Sequence, residues 1–119
     1  MDFKSQICTT REQSESLLAL GLKKETADIR GVEGIEHTPT YAWSLHRLWM
    51  SIPKYIEIGE GNEYEIVMIH GYLKLINDLD DVYKYFDNND SIYDNIIDCI
   101  EWLIKEGYFK KEYLMNGND

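Results

Sequence analysis

Basic residues, histidine and cysteine are all scarce in this chain, and each scarcity removes a class of function. Twelve Lys and Arg stand against twenty-two Asp and Glu, giving a net charge of −10. Such a surface repels phosphate backbones and anionic lipid, so direct contact with nucleic acid or a membrane is not expected. The three histidines (His37, His46, His70) and two cysteines show neither C-x-x-C nor H-E-x-x-H spacing, so neither a metal nor any other cofactor is assigned. Cys8 and Cys99 are too few for a disulfide scaffold. No apolar run approaches the roughly 18 residues that span a bilayer. The first residues, MDFKSQICTTREQ, lack an apolar signal core, and a cytoplasmic location is the expectation. Ser44 lies in A-W-S-L rather than a G-x-S-x-G elbow, and there is no phosphate-cradling glycine loop. No catalytic residue is assigned, and catalysis is the disfavoured reading.

The chain does contain enough to fold. Its 119 residues are 44% apolar and 13% aromatic, which suits one α+β domain over 1–119 with a single core. The clearest element is SIYDNIIDCIEWLIKEG, from Ser91 to Gly107. Ile92, Ile96, Cys99, Ile100, Leu103 and Ile104 recur at steps of three and four, an apolar helical face opposite Asp94, Asp98, Glu101 and Lys105. Ser91 with Asp94 resembles a capping box, and Gly107 supplies the left-handed stop. Cys99 is expected to pack as a small hydrophobe, and Trp102, at the margin of the face, to cover a sheet.

Earlier in the chain, Thr10 and Gln13 form a T-x-x-Q capping box ahead of a helix whose buried side is Leu17, Leu18 and Leu20. Gly21 ends it, and Lys24–Asp28 is read as one further turn. A polar loop over Arg30–Thr40 follows. Ser44 then caps a second helix with Leu45, Leu48, Trp49 and Ile52 as its apolar stripe, Trp43 and Leu48 forming a hydrophobic staple, and Pro53 ending it. Four alternating or apolar runs come next: Tyr55–Ile58, Tyr64–Ile69, Tyr72–Ile76 and Val82–Phe86. Gly59–Asn62, His70-Gly71 and Asn77–Asp81 are their turns. The expected fold is therefore N-terminal helices, an antiparallel three- to four-stranded meander, and a C-terminal amphipathic helix packed on the sheet.

Charge is segregated along the chain. Residues 1–54 hold seven basic and seven acidic side chains, whereas residues 55–119 hold five and fifteen. Between Glu57 and Glu101 twelve carboxylates face only Lys74 and Lys84. Asp78, Asp80, Asp81, Asp87, Asp90, Asp94, Asp98 and Glu101 are the candidate interaction residues in this stretch, set against the plainer reading of a solvated acidic face that has no partner and serves solubility. Asp87, Asn89, Ser91 and Asp98 fall at calcium-loop positions one, three, five and twelve, but Ile92 replaces the required glycine and Asp98 the bidentate glutamate. A cap and helix start explain them better. Trp43, His46 and Arg47 offer a further surface patch, though helix-start chemistry accounts for them as well.

Three stretches taken together, TREQSESLLALGLKKETADI, AWSLHRLW followed by Ile52-Pro53, and NIIDCIEWLIKEGYF, resemble a family of small uncharacterised proteins. That family is encoded in Bacteroides and related gut bacteria, often near phage or mobile-element genes. The resemblance implies an intracellular bacterial accessory protein, and it carries no catalytic residue or cofactor. This chain departs from the family pattern in a shorter loop at Arg30–Thr40 and in Tyr41, where a proline commonly precedes Ala-Trp. The leading expectation is a non-catalytic accessory or interaction protein. Its partner is an unknown protein, a basic one being the kind an acidic surface could attract, and homo-oligomer formation is compatible with it. The alternatives are an acidic nucleic-acid mimic that inhibits a basic DNA-binding protein, and an enzyme with an unrecognised site.

Overall fold

Thr10 opens the first helix by the reciprocal bonds its sequence encodes. Its hydroxyl accepts from the Gln13 N–H at 3.1 Å, and the Gln13 side chain accepts from the Thr10 N–H at 2.9 Å. The structure is a computed structural model that describes residues 6–30 and 41–115. Residues 1–5, the loop residues 31–40 with His37, and residues 116–119 lie outside it. The chain divides into two compact units, Met1–Met50 with Lys111–Asp119, and Ser51–Lys110.

In the first unit, α1 (Arg11–Ala19) buries Leu17 and Ser14, while Leu18 is exposed and Leu20 half-buried. The expected triple-leucine face is thus narrower than its spacing suggested. Leu22, after the left-handed Gly21 (φ +101°), is fully buried and forms an antiparallel bridge with Leu114. A 3-10 turn over Lys24–Thr26 follows. Two short paired strands flank residues 31–40, β1 (Ile29–Arg30), which takes in the first residue of the expected loop, and β2 (Tyr41–Ala42), which follows its last.

Trp43 is buried, not part of a surface patch with His46 and Arg47. Its indole N–H donates to Thr26 Oγ1 at 3.0 Å, and its backbone N–H donates to the buried Thr9 hydroxyl at 3.1 Å. A buried indole needs a partner for its N–H, and Thr26 supplies it. Ser44 caps α2 (Leu45–Ser51), its hydroxyl accepting from the Arg47 N–H at 3.1 Å. The Asp28 carboxylate holds Ser44 in place by accepting from both its N–H and its hydroxyl. Leu48 is fully buried like Trp43, as a staple requires.

The second unit is a four-stranded antiparallel meander, in order β3 (Tyr55–Glu57), β4 (Glu63–Ile69), β5 (Tyr72–Ile76) and β6 (Val82–Phe86). Alternation assigns the faces. Ile56, Ile66, Leu73, Leu75 and Phe86 are buried. Glu63 and Glu65 of β4, two residues apart, share the opposite face with Tyr55 and Ile76, which sit beside Glu65 in register.

The β3–β4 turn uses left-handed Gly59 and Gly61, and the Glu57 carboxylate accepts from the Gly61 N–H at 3.0 Å. In the other two turns non-glycine residues take positive φ, His70 at +52° and Asp80 at +63°. The Asn77 side-chain oxygen holds the latter turn by accepting from the Leu79 and Asp81 N–H groups at 3.0 and 2.9 Å. This is an Asx turn, the reason Asn recurs at such positions. β6 carries a register irregularity opposite Leu75/Ile76.

The closing helix α3 (Ile92–Glu106) packs on β5 and β6 and ends at left-handed Gly107 (φ +82°). Ser91 caps it by accepting from the Tyr93 N–H at 3.2 Å. Ile96, Cys99, Ile100 and Leu103 are fully buried, each aliphatic side chain contributing about 1.5–3 kcal/mol by leaving water. The buried face is rotated from the expected one. Tyr93, Asn95 and Ile97 join it, while Ile92 and Ile104 are only half-buried.

Candidate interaction surfaces

Strand register builds the first surface. Tyr55, Glu65 and Ile76 are cross-strand neighbours, Glu63 lies two residues from Glu65, and the β5–β6 turn adds Asn77, Asp78 and Asp80. These residues line an open groove of about 480 Å³ whose charged lining is four carboxylates. Asp80 occupies its strained left-handed conformation here, and Leu79 at the turn tip is 81% exposed. Asp81 is exposed in the same turn. Two of the eight sequence candidates, Asp78 and Asp80, therefore meet Glu63 and Glu65, which had not been singled out. The alternation of Glu63 and Glu65 along β4 was the signal that placed both on one face. Their closeness to Asp78 depends on register and was not legible.

A second groove, of about 230 Å³, is lined by Lys84, Tyr85, Phe86, Asn88, Asp98, Glu101, Trp102 and Lys105. It shares no residue with the first. Asp98 accepts from the Asn89 side-chain amide at 2.8 Å, and Glu101 lies 3.1 Å from the Lys105 ammonium. Trp102 is the meeting point of an aromatic row. Its ring centroid lies 5.7 Å from Tyr108, 5.9 Å from Phe86 and 6.3 Å from Tyr83, and Tyr83 in turn lies 5.4 Å from Tyr64. Such tilted pairs add about 0.5–1.5 kcal/mol each beyond their burial.

The remaining candidates are dispersed. Asp87 and Asp90 are exposed in the segment between β6 and α3, and Asp94 is half-buried in the first turn of α3. That segment is tied down by Asn95, which is 1% exposed. Its side-chain oxygen accepts from the Asn89 backbone N–H at 3.0 Å and the Asn89 amide at 3.1 Å. Its own amide donates to the Gly71 carbonyl at 2.7 Å and the Asn89 carbonyl at 3.0 Å. Asn89 and Ser91, two of the residues at calcium-loop positions, are thus engaged in bracing and capping the helix start.

Among the described residues no group of three or more His, Cys, Asp or Glu is arranged to hold a metal ion, and no helix is long and apolar enough to cross a membrane. His46 and His70 are exposed. Cys99 is a free, buried thiol whose pKa is pushed up to about 12, first by burial and then by the Asp98 charge beside it. A thiol held protonated is a poor nucleophile. No protein-family model, curated protein or solved structure matches the chain.

Proposed function

We propose that this chain is a small intracellular bacterial accessory protein that works by binding a basic partner protein, without catalysis. The observation that carries the reading is the groove of Glu63, Glu65, Asp78 and Asp80 around Tyr55 and Ile76. It combines four carboxylates with one aliphatic side chain, Ile76, and a half-exposed tyrosine, on a unit holding five basic and thirteen acidic residues. A field of that sign steers a cationic surface toward the groove, and the tyrosine supplies contact area at low entropic cost. Lys or Arg side chains entering it bring the charges the groove lacks, at a place where the Asx turn keeps the backbone fixed.

Two of the eight candidate carboxylates line each groove, one groove being balanced by lysines, and the other four are dispersed, which supports a compact protein contact over imitation of a continuous phosphate strand. The mobile-element setting comes from the three resembled motifs and is part of the same proposal. Affinity capture with the intact chain tests it, alongside a variant neutral in the groove (Glu63→Gln, Glu65→Gln, Asp78→Asn, Asp80→Asn). A basic protein held by the parent chain in a salt-sensitive complex and lost by the variant supports it.

A further inference from the structure

We propose that the chain pairs with a second copy of itself through the β6–α3 face, around a two-fold axis centred near Trp102. A two-fold contact sets one patch against the same patch, so the patch must be complementary to itself. Most of the Ser51–Lys110 unit fails that condition, because thirteen carboxylates against five lysines make two copies repel. The acidic groove fails it outright, with four carboxylates and no lysine in its lining.

The groove beside Trp102 meets the condition. Lys84 and Lys105, two of the unit's five cations, line it together with Asp98 and Glu101. Turned on itself, this arrangement offers each lysine a carboxylate of the facing copy. Beside the charges runs the row Tyr64–Tyr83–Trp102–Tyr108, with Tyr83 51% exposed. An aromatic centre within a charged rim is the usual anatomy of a protein–protein contact.

The contact is made by side-chain faces, not by joining sheet edges. Antiparallel pairing of β6 with its copy about Lys84 sets two lysines directly opposite, which is unfavourable. The register irregularity in β6 interrupts that edge as well.

Sedimentation velocity on the intact chain, over a range of concentration and salt, is the test. The parent chain is expected to show a monomer–dimer equilibrium. Lys84→Glu with Lys105→Glu is expected to be monomeric, as is Asp98→Lys with Glu101→Lys, while an equimolar mixture of the two recovers a 1:1 dimer. Circular dichroism reports whether each variant is folded. Should either fail to fold, Tyr83→Ser, at an exposed position, serves instead and weakens the dimer at least about tenfold. A parent chain that stays monomeric throughout overturns the proposal. So does a dimer indifferent to Tyr83→Ser, or folded charge variants that dimerise alone or do not recover the dimer on mixing. Each of these variants leaves Glu63, Glu65, Asp78 and Asp80 intact, so loss of the dimer and loss of a basic partner are separately readable.

Discussion

The side-chain amide of Asn95, in the first half of α3, donates to the carbonyl of Gly71 in the β4–β5 turn at 2.7 Å. One buried amide thereby joins the closing helix to a hairpin turn and, through Asn89, to the segment before the helix. Replacing Asn95 by Leu leaves the Gly71 carbonyl and the Asn89 N–H without their side-chain partner. The expected loss is about 2–4 kcal/mol, several times that of an average surface change. Urea denaturation followed by tryptophan fluorescence measures it.

The core of α3 predicts a second loss. Ile96 is completely buried, so Ile96→Asp places an unpaired charge inside the second unit. Destabilisation of several kcal/mol is expected. An unchanged melting curve would show that the helix does not pack on the sheet.

Strain in the turns predicts a gain. Asp80 at φ +63° pays the steric cost of the left-handed region, and its carboxylate also sits in the crowded acidic groove. Asp80→Gly relieves both and is expected to stabilise by about 1 kcal/mol, partly offset by the greater freedom of glycine when unfolded. Thermal melting of the variant against the parent gives the sign.

Burial of Cys99 predicts a pH dependence. Its folded pKa, raised from about 9.0 to about 12, means that the native state holds the thiol proton more tightly than the unfolded state does. The associated stability is intact below pH 9 and is lost as pH rises through 9 toward 12. Comparison with Cys99→Ala isolates this slope from other titrations, since only the parent chain carries it. In the folded protein at neutral pH, iodoacetamide should modify half-buried Cys8 and spare Cys99, as peptide mapping would show.

What could be read in the sequence was what is decided locally. The Thr10–Gln13 capping box, the Ser44 cap, the Gly107 stop and the four alternating strands all rest on spacing within one element, and all are present. Asn95 escaped because a polar residue on a helix reads as solvent-facing unless its tertiary partners are known. Leu22 escaped because a single leucine after a glycine has no period, and its burial depends on Leu114, far along the chain. The two-residue strands Ile29–Arg30 and Tyr41–Ala42 are too short for alternation to register. The acidic groove was half legible. Abundance of carboxylates was evident, but register decides that Glu65 lies beside Tyr55 and Ile76, and the Asn77 turn brings Asp78 and Asp80 to them.

Binding of a basic partner in the acidic groove is measured by quantitative affinity capture from lysate of the source cells. The parent chain and the variant with Gln at 63 and 65 and Asn at 78 and 80 are compared across a salt series. The parent is expected to retain one basic protein, with retention that falls steeply with salt, and the folded variant to lose it. Equal retention of that partner by both chains, or no enriched partner for the parent chain, would show that the groove is not a binding site for a basic protein.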